Sequence, residues 1–286
     1  MRDSKTDGLL LVDKPAGITS HAVADRARGV LQTRRIGHAG TLDPFATGLL
    51  LLLVGRATRL VSFLDNEPKV YRATIRFGAR TTTDDPEGDV TFEAPPPPQD
   101  VVDRAIGTLT GHLLQRPPVF SAKRVAGVRA YAAARRGEPM QLEPVAVTVH
   151  KWQVLGREGP DLDVEIHCNG GTYVRALARD LGEATGSAAH LTALRRLRSG
   201  RYDVSAGITL DALERGEFEL LAPTAAVAHM PRQALDDLET KRVTHGQNIG
   251  AMTMGDLAAL YHDDELIAVA VREGESWRPK VVLRDA

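Results

Sequence analysis

The feature that most restricts how this chain can fold is the run Leu49–Val54, six apolar residues held between Gly48 and Gly55. A run that is apolar on both of its alternating faces, bounded by glycines, reads as a buried strand of a sheet. No apolar run in the chain is longer, and this one falls far short of the ~20 residues a membrane-spanning helix needs. Around it lie further signals. Gly8–Val12 is a short apolar strand, and Lys14-Pro15-Ala16-Gly17 a turn. Thr19 or Ser20 can cap a helix running to about Gln32, with Ala22, Val23, Ala27, Val30 and Leu31 on one face. Val70–Gly78 alternates, with Tyr71, Ala73, Ile75 and Phe77 on one side, as a half-buried strand does.

Residues 81–89 form an acidic loop and Pro95–Pro98 a stiff spacer. Helices are expected over 101–110, capped by Asp100, over 123–136 and over 173–184. Val145–Leu155 and Leu162–Cys168 read as strands. The elements alternate without a regular βαβ rhythm, which predicts an α/β (α+β) fold built on a mixed, largely antiparallel sheet. From about Gln233 the apolar runs become short and are broken by glycines and acidic turns. That change predicts two domains, 1–232 and a small β-rich domain over 233–286.

With 286 residues, 43% of them hydrophobic, the chain can bury a large core. The 36 Lys+Arg and 37 Asp+Glu nearly cancel, which excludes a simple polycation. The balance hides blocks: residues 1–60, 101–141 and 169–201 are basic, and the stretches between them acidic. Three basic blocks on one face would attract a polyanion; dispersed, they are ordinary solvated surface. A single cysteine, Cys168, excludes an intrachain disulfide framework and multi-cysteine zinc sites, and the nine histidines lack metal-ligand spacing. Leu9–Val12 lies between Asp7 and Asp13, unlike a signal-peptide core, so a cytoplasmic setting is expected.

Standard signatures for nucleotide, phosphate, zinc-protease or serine-hydrolase chemistry are missing. The loop GHAGTLDPFATG at 37–48 stands out instead. Pro44 pushes Asp43 into extended geometry, and Gly37, Gly40 and Gly48 allow tight turns and close approach of a ligand. An aspartate in such a loop is commonly a turn former. As a functional group, a lone carboxylate suits a nucleophile or a general base.

That loop resembles the catalytic motif of the TruB-type tRNA pseudouridine-55 synthases, and it is one of six in order. DKPAGITSH at 13–21, VYRATIRFG followed by TTTDDPEGD, RPPVFSAKRVAGVRAYAAARRGE at 116–138, IHCNGGTYVRALARDLG at 166–182 and HLTALRRLRSG at 190–200 resemble the others. The resemblance implies isomerisation of uridine to pseudouridine in the T arm of tRNA, without cofactor or metal. It implies that Asp43 is the catalytic aspartate, as nucleophile or as base, with Arg175 as its partner and Lys14 as a support of the loop or of a phosphate. By the same resemblance Tyr71, Tyr173 and Leu194 contact the flipped uridine and His38 helps displace it.

Asn169-Gly170 stands where the family often has Ser-Lys, so altered RNA contacts are expected there. The tail resembles the family's C-terminal β domain, related to the PUA module, which grips RNA. The chain lacks the Lys-rich extension of RNA-guided relatives, so a monomer acting without guide RNA or protein partner is expected. The competing expectation is a tRNA-folding chaperone with a vestigial pocket.

Overall fold

The leucine run lies deep in a ten-stranded sheet. In the computed structural model, which describes residues 7–121, 124–125, 128–129, 140 and 142–284, β1 (Gly8–Lys14) and β2 (Ile36–Ala39) both pair antiparallel with β3 (Thr47–Val54). From β1 and β3 the sheet continues through Ala189–Ser199 to β4 (Lys69–Phe77), then Asp161–Cys168, Val145–Glu158 and Gly111–Gln115. The pairings of β1 with Ile208–Thr209 and of β3 with Ala189–Ser199 are parallel, and the others antiparallel. This is the mixed sheet that the strand pattern predicts.

The two faces of β3 serve two cores. Leu50, Leu52 and Val54 pack with Val23, Ala24 and Ala27 of α1 (Ser20–Leu31). Leu49, Leu51 and Leu53 pack with Leu9 and Leu11, and also with Tyr261, Leu266 and Val269 from the C-terminal part of the chain. Those last residues belong to a five-stranded sheet ordered Arg232–Ala234, Leu257–His262, Glu265–Glu273, Ser276–Val282, Ile249–Gly250. Arg56 and Arg59 fasten it further, donating to the carbonyls of Leu283 (2.6 Å) and Val282 (2.5 Å). Among the described residues no helix is long and apolar enough to cross a membrane.

Thr19 caps α1, its hydroxyl accepting from Ala22 N–H at 3.0 Å, and Gln32 ends the helix in the left-handed region. Two expectations need correction. The helix placed at 101–110 is α2 (Gln99–Thr108); it starts directly after Pro98, and Asp100 pairs with Arg104 at 2.9 Å in its first turn rather than capping it. Of the helix placed at 123–136, the described residues Arg124–Val125 and Val128–Arg129 form a short antiparallel ladder, and the rest lie outside the described residues. The C-terminal part also contains an unanticipated helix, Asp237–Thr244, closed by a capping box between Asp236 and Glu239.

Gly48, at the start of β3, has φ +99°, and a Cβ there would stand 2.2 Å from the carbonyl oxygen of Arg196. Both obstacles are backbone, in the parallel pairing of Gly48 with Arg196. Gly48→Ala is therefore expected to cost at least about 2 kcal/mol through strain and overpacking. Chemical denaturation should show the loss, and a wild-type midpoint would contradict this account of the β3–Arg196 contact.

Candidate active site

Asp43 sits in the loop between β2 and β3, and the residues of the first turn clamp it from both sides. Ser20, at the start of α1, donates its hydroxyl to Leu42 O (3.0 Å) and accepts from Leu42 N–H (2.8 Å). On the other side Pro44 O accepts from Gly17 N–H at 2.9 Å and from Lys14 Nζ at 3.2 Å. Lys14 is fully buried and also donates to Pro15 O and Ile18 O. Burial pushes its pKa down to about 8, with the Asp43 charge pulling the other way. Lys14 therefore supports the loop.

The guanidinium of Arg175 reaches the carboxylate of Asp43 with both nitrogens on one edge. Nη2 donates to Oδ1 at 3.2 Å, and Nε lies 2.9 Å from Oδ2, an ionic contact without an aligned hydrogen bond. Arg175 is in the first turn of α3 (Val174–Ala184) and is almost wholly buried. Its Nη1 donates to Asp85 Oδ2 (3.1 Å) and Thr83 O (2.8 Å), and Nη2 also to Phe120 O (2.7 Å). One turn later Arg179 pairs with Asp84 at 3.1 Å. The neighbouring acids of the 81–89 loop thus take one arginine each. A solvated helix face, the plain reading of an Arg175/Arg179 spacing, is not what forms.

These contacts set the charge state of Asp43. Its side chain keeps about a third of its exposure (34%), yet burial raises its pKa above the usual carboxylate range. Arg175 opposes that rise and Asp85 adds to it. The arginine is shared between the two acids, so it offsets the burial of Asp43 only in part.

A cavity of about 250 Å³ opens onto this pair. That is below the ~300–1,000 Å³ typical of drug-sized ligand sites, and suits a single base or nucleoside. Tyr71, Tyr173 and Leu194 line it together with Asp43 and Arg175. Tyr71 is buried on β4, in register with Arg196; burial raises its pKa and the nearby Arg196 charge opposes the rise. Tyr173 is extended, and α3 begins at the next residue. The side chain of Gln115 clasps its backbone, accepting from its N–H (2.8 Å) and donating to its C=O (3.2 Å). The chain turns between an extended Tyr173 and a helical Arg175, so both side chains reach one cavity. His38, on β2, does not line it. Its Nδ1 is buried with no partner among the described residues, and burial lowers its pKa, helped by His21, Arg196 and Arg28.

Sequence reasoning missed Ser20, Asp85, Lys69, Ser121 and Arg196; the last three also line the cavity. Arg196 is buried and donates to Leu49 O and Gly40 O at 2.6 and 2.9 Å. The adjacent acids Asp84-Asp85 and the Arg175/Arg179 spacing were the available signal. Much of the third basic block is engaged within the protein: Arg175, Arg179 and Arg196 internally, and Arg195 with Asp13 at 2.7 Å, while Arg198 and Arg201 stay exposed. Among the described residues no group of three His, Cys, Asp or Glu side chains could hold a metal ion.

Comparison with known proteins agrees with this geometry. Residues 28–174 match the TruB family pseudouridylate synthase N-terminal domain, and residues 175–240 the tRNA pseudouridylate synthase B C-terminal domain. The tRNA pseudouridine synthase B of Thermobifida fusca (strain YX) is 45% identical, over 96% of this chain and 98% of the relative. That of Mycobacterium tuberculosis (strain ATCC 25618 / H37Rv) is 42% identical, over 98% and 96%. Among solved structures, a chain of a Cbf5-Nop10-Gar1 complex superposes with a TM-score of 0.71 at 27% identity, covering 97% of this chain and 85% of that one. A chain of an archaeal box H/ACA Nop10-Cbf5 complex gives 0.72 at 25% identity, over 98% and 87%. The matched span takes in β3, the Asp43 loop and α3, and the chain belongs to the TruB family of pseudouridylate synthases.

Proposed function

We propose that this chain isomerises uridine to pseudouridine at position 55, in the T arm of tRNA, with Asp43 as the catalytic group. The observation that carries the reading is the desolvated carboxylate of Asp43, held by Arg175 in a cavity walled by Tyr71, Tyr173 and Leu194. Breaking the C1′–N1 bond and forming C1′–C5 moves one proton from C5 to N1, so the reaction balances without an external reagent. An ionised Asp43 serves either as nucleophile toward the nucleoside or as base in a glycal route. The target base leaves its stack to reach the carboxylate, and Tyr71 offers an aromatic surface to receive it. His38, on the strand that leads into the Asp43 loop, helps to displace the base. The relatives named tRNA pseudouridine synthase B support tRNA as the substrate.

Residues 1–232 form the catalytic domain in this reading, and residues 233–286 a PUA-like module that grips RNA outside the pocket. The chain works in the cytoplasm as a monomer, without cofactor, guide RNA or protein partner. A tRNA-folding chaperone with a vestigial pocket would not need Asp43, Tyr71 and Arg175 kept together around one cavity.

The test is to incubate the purified chain with a tRNA transcript tritiated at C5 of uridine. Stoichiometric tritium release is expected, with the product mapping to position 55. Binding without release, or release only after a guide RNA is added, would overturn the proposal.

A further inference from the structure

We infer that Lys69 is the cation that receives a backbone phosphate of the flipped nucleotide. The inference rests on the function proposed above and specifies how its substrate is held.

Among the described residues three cations line the cavity: Lys69, Arg175 and Arg196. Two of them are engaged within the protein. Arg175 holds two carboxylates and two carbonyls, and Arg196 holds Leu49 O and Gly40 O. The ammonium of Lys69 makes no hydrogen bond or ion pair among the described residues. Its nearest acid, Glu67, is drawn aside, with Oε1 accepting from Gly170 N–H at 2.8 Å. The ammonium lies close to two stretches of bare backbone: a Cβ at Gly40 would stand 3.4 Å from Nζ, and one at Gly170 3.2 Å. Side chains at either position would crowd it.

Lys69 and Tyr71 are two residues apart on β4, so they share a face of the strand, about 7 Å apart along it. If Tyr71 receives the base, Lys69 stands about one sugar away, where a phosphate of the same nucleotide lies. Burial lowers the pKa of Lys69, with Arg196 adding to the effect and Glu67 opposing it. An ammonium taken partly out of water without a partner is disfavoured until an anion arrives. A uracil carbonyl would leave the charge uncompensated, whereas phosphate neutralises it and suits a compact point charge.

The test uses the purified chain and unmodified tRNA. Lys69→Met is expected to weaken binding about tenfold, the loss of one charged hydrogen bond. It should also reduce the slope of log Kd against log salt by about one. Lys69→Arg should keep the slope, and the loss should fall in KM more than in kcat. Lys69→Met should melt no lower than wild type, because an unpaired, half-buried charge has been removed. An unchanged salt slope in Lys69→Met overturns the proposal. So does a fall in kcat at saturating tRNA with the slope intact, which assigns the lysine to the base instead. Tritium release by wild type is measured alongside; if it is absent the isomerase reading fails, while the salt slope still decides the role of Lys69.

Discussion

Asp43→Asn is expected to abolish isomerisation while leaving the protein folded and at least as stable as wild type. The amide keeps the shape of the side chain and can still accept from Arg175, but it provides neither a nucleophilic oxygen nor a base. Loss of a group at the reacting atoms costs about 10⁴-fold or more in kcat. The stability expectation follows from linkage. The folded pKa of Asp43 is raised, chiefly by burial, so its ionised form costs folding free energy above the unfolded pKa and nothing below it. The variant should therefore gain most over wild type near neutral pH, and the gap should close in acid. In wild type the same shift moves the acid limb of kcat/KM above the pH at which an exposed aspartate titrates. Full turnover by Asp43→Asn, or an acid limb at the usual carboxylate position, would contradict the assigned role.

Arg175→Met is expected to give the largest loss of stability. It removes the guanidinium from Asp85, whose side chain is 5% exposed, and strips donors from Thr83 O and Phe120 O. Leaving one member of a buried pair unpaired costs about 3–5 kcal/mol. Activity should fall with it, because Asp43 loses its counter-ion. The double variant Arg175→Met/Asp85→Asn should regain much of the stability but not the activity, since the uncompensated carboxylate is then gone. Arg104, on the exposed side of α2 in a surface pair with Asp100, is the control; exposed pairs contribute about 0–1 kcal/mol. Equal effects of Arg175→Met and Arg104→Met in denaturant would show that the Arg175 network is not the anchor described.

What could be read from the sequence was local. The leucine run, the alternation at 70–78 and the Thr19 cap each draw on a few consecutive residues, and each element formed where its pattern predicts. The Asp43–Arg175 pair spans 132 positions, and only the family resemblance joined it; no spacing rule reaches that far. Ser20 shows the limit from the other side. It sits where a cap is expected, but Thr19 takes the cap and Ser20 turns to Leu42, a partner 22 residues away. Arg196 and Lys69 stayed hidden because a cation on a strand says nothing by itself about which face meets a cavity. The missed helix at 237–244 was legible, since Asp236 and Glu239 carry the spacing of a capping box.

The apolar patch shared by Leu49, Leu51 and Leu53 with Tyr261, Leu266 and Val269 has a practical meaning for anyone cutting this chain. The carboxyl-terminal strands are not a pendant that can be clipped off to leave a working remainder; their removal bares leucines from the same strand that the Asp43 loop feeds into. It also fixes the offset between the Asp43 loop and those strands. A chimera that borrows a foreign tail should keep that offset only if the graft brings matching side chains for the leucine face.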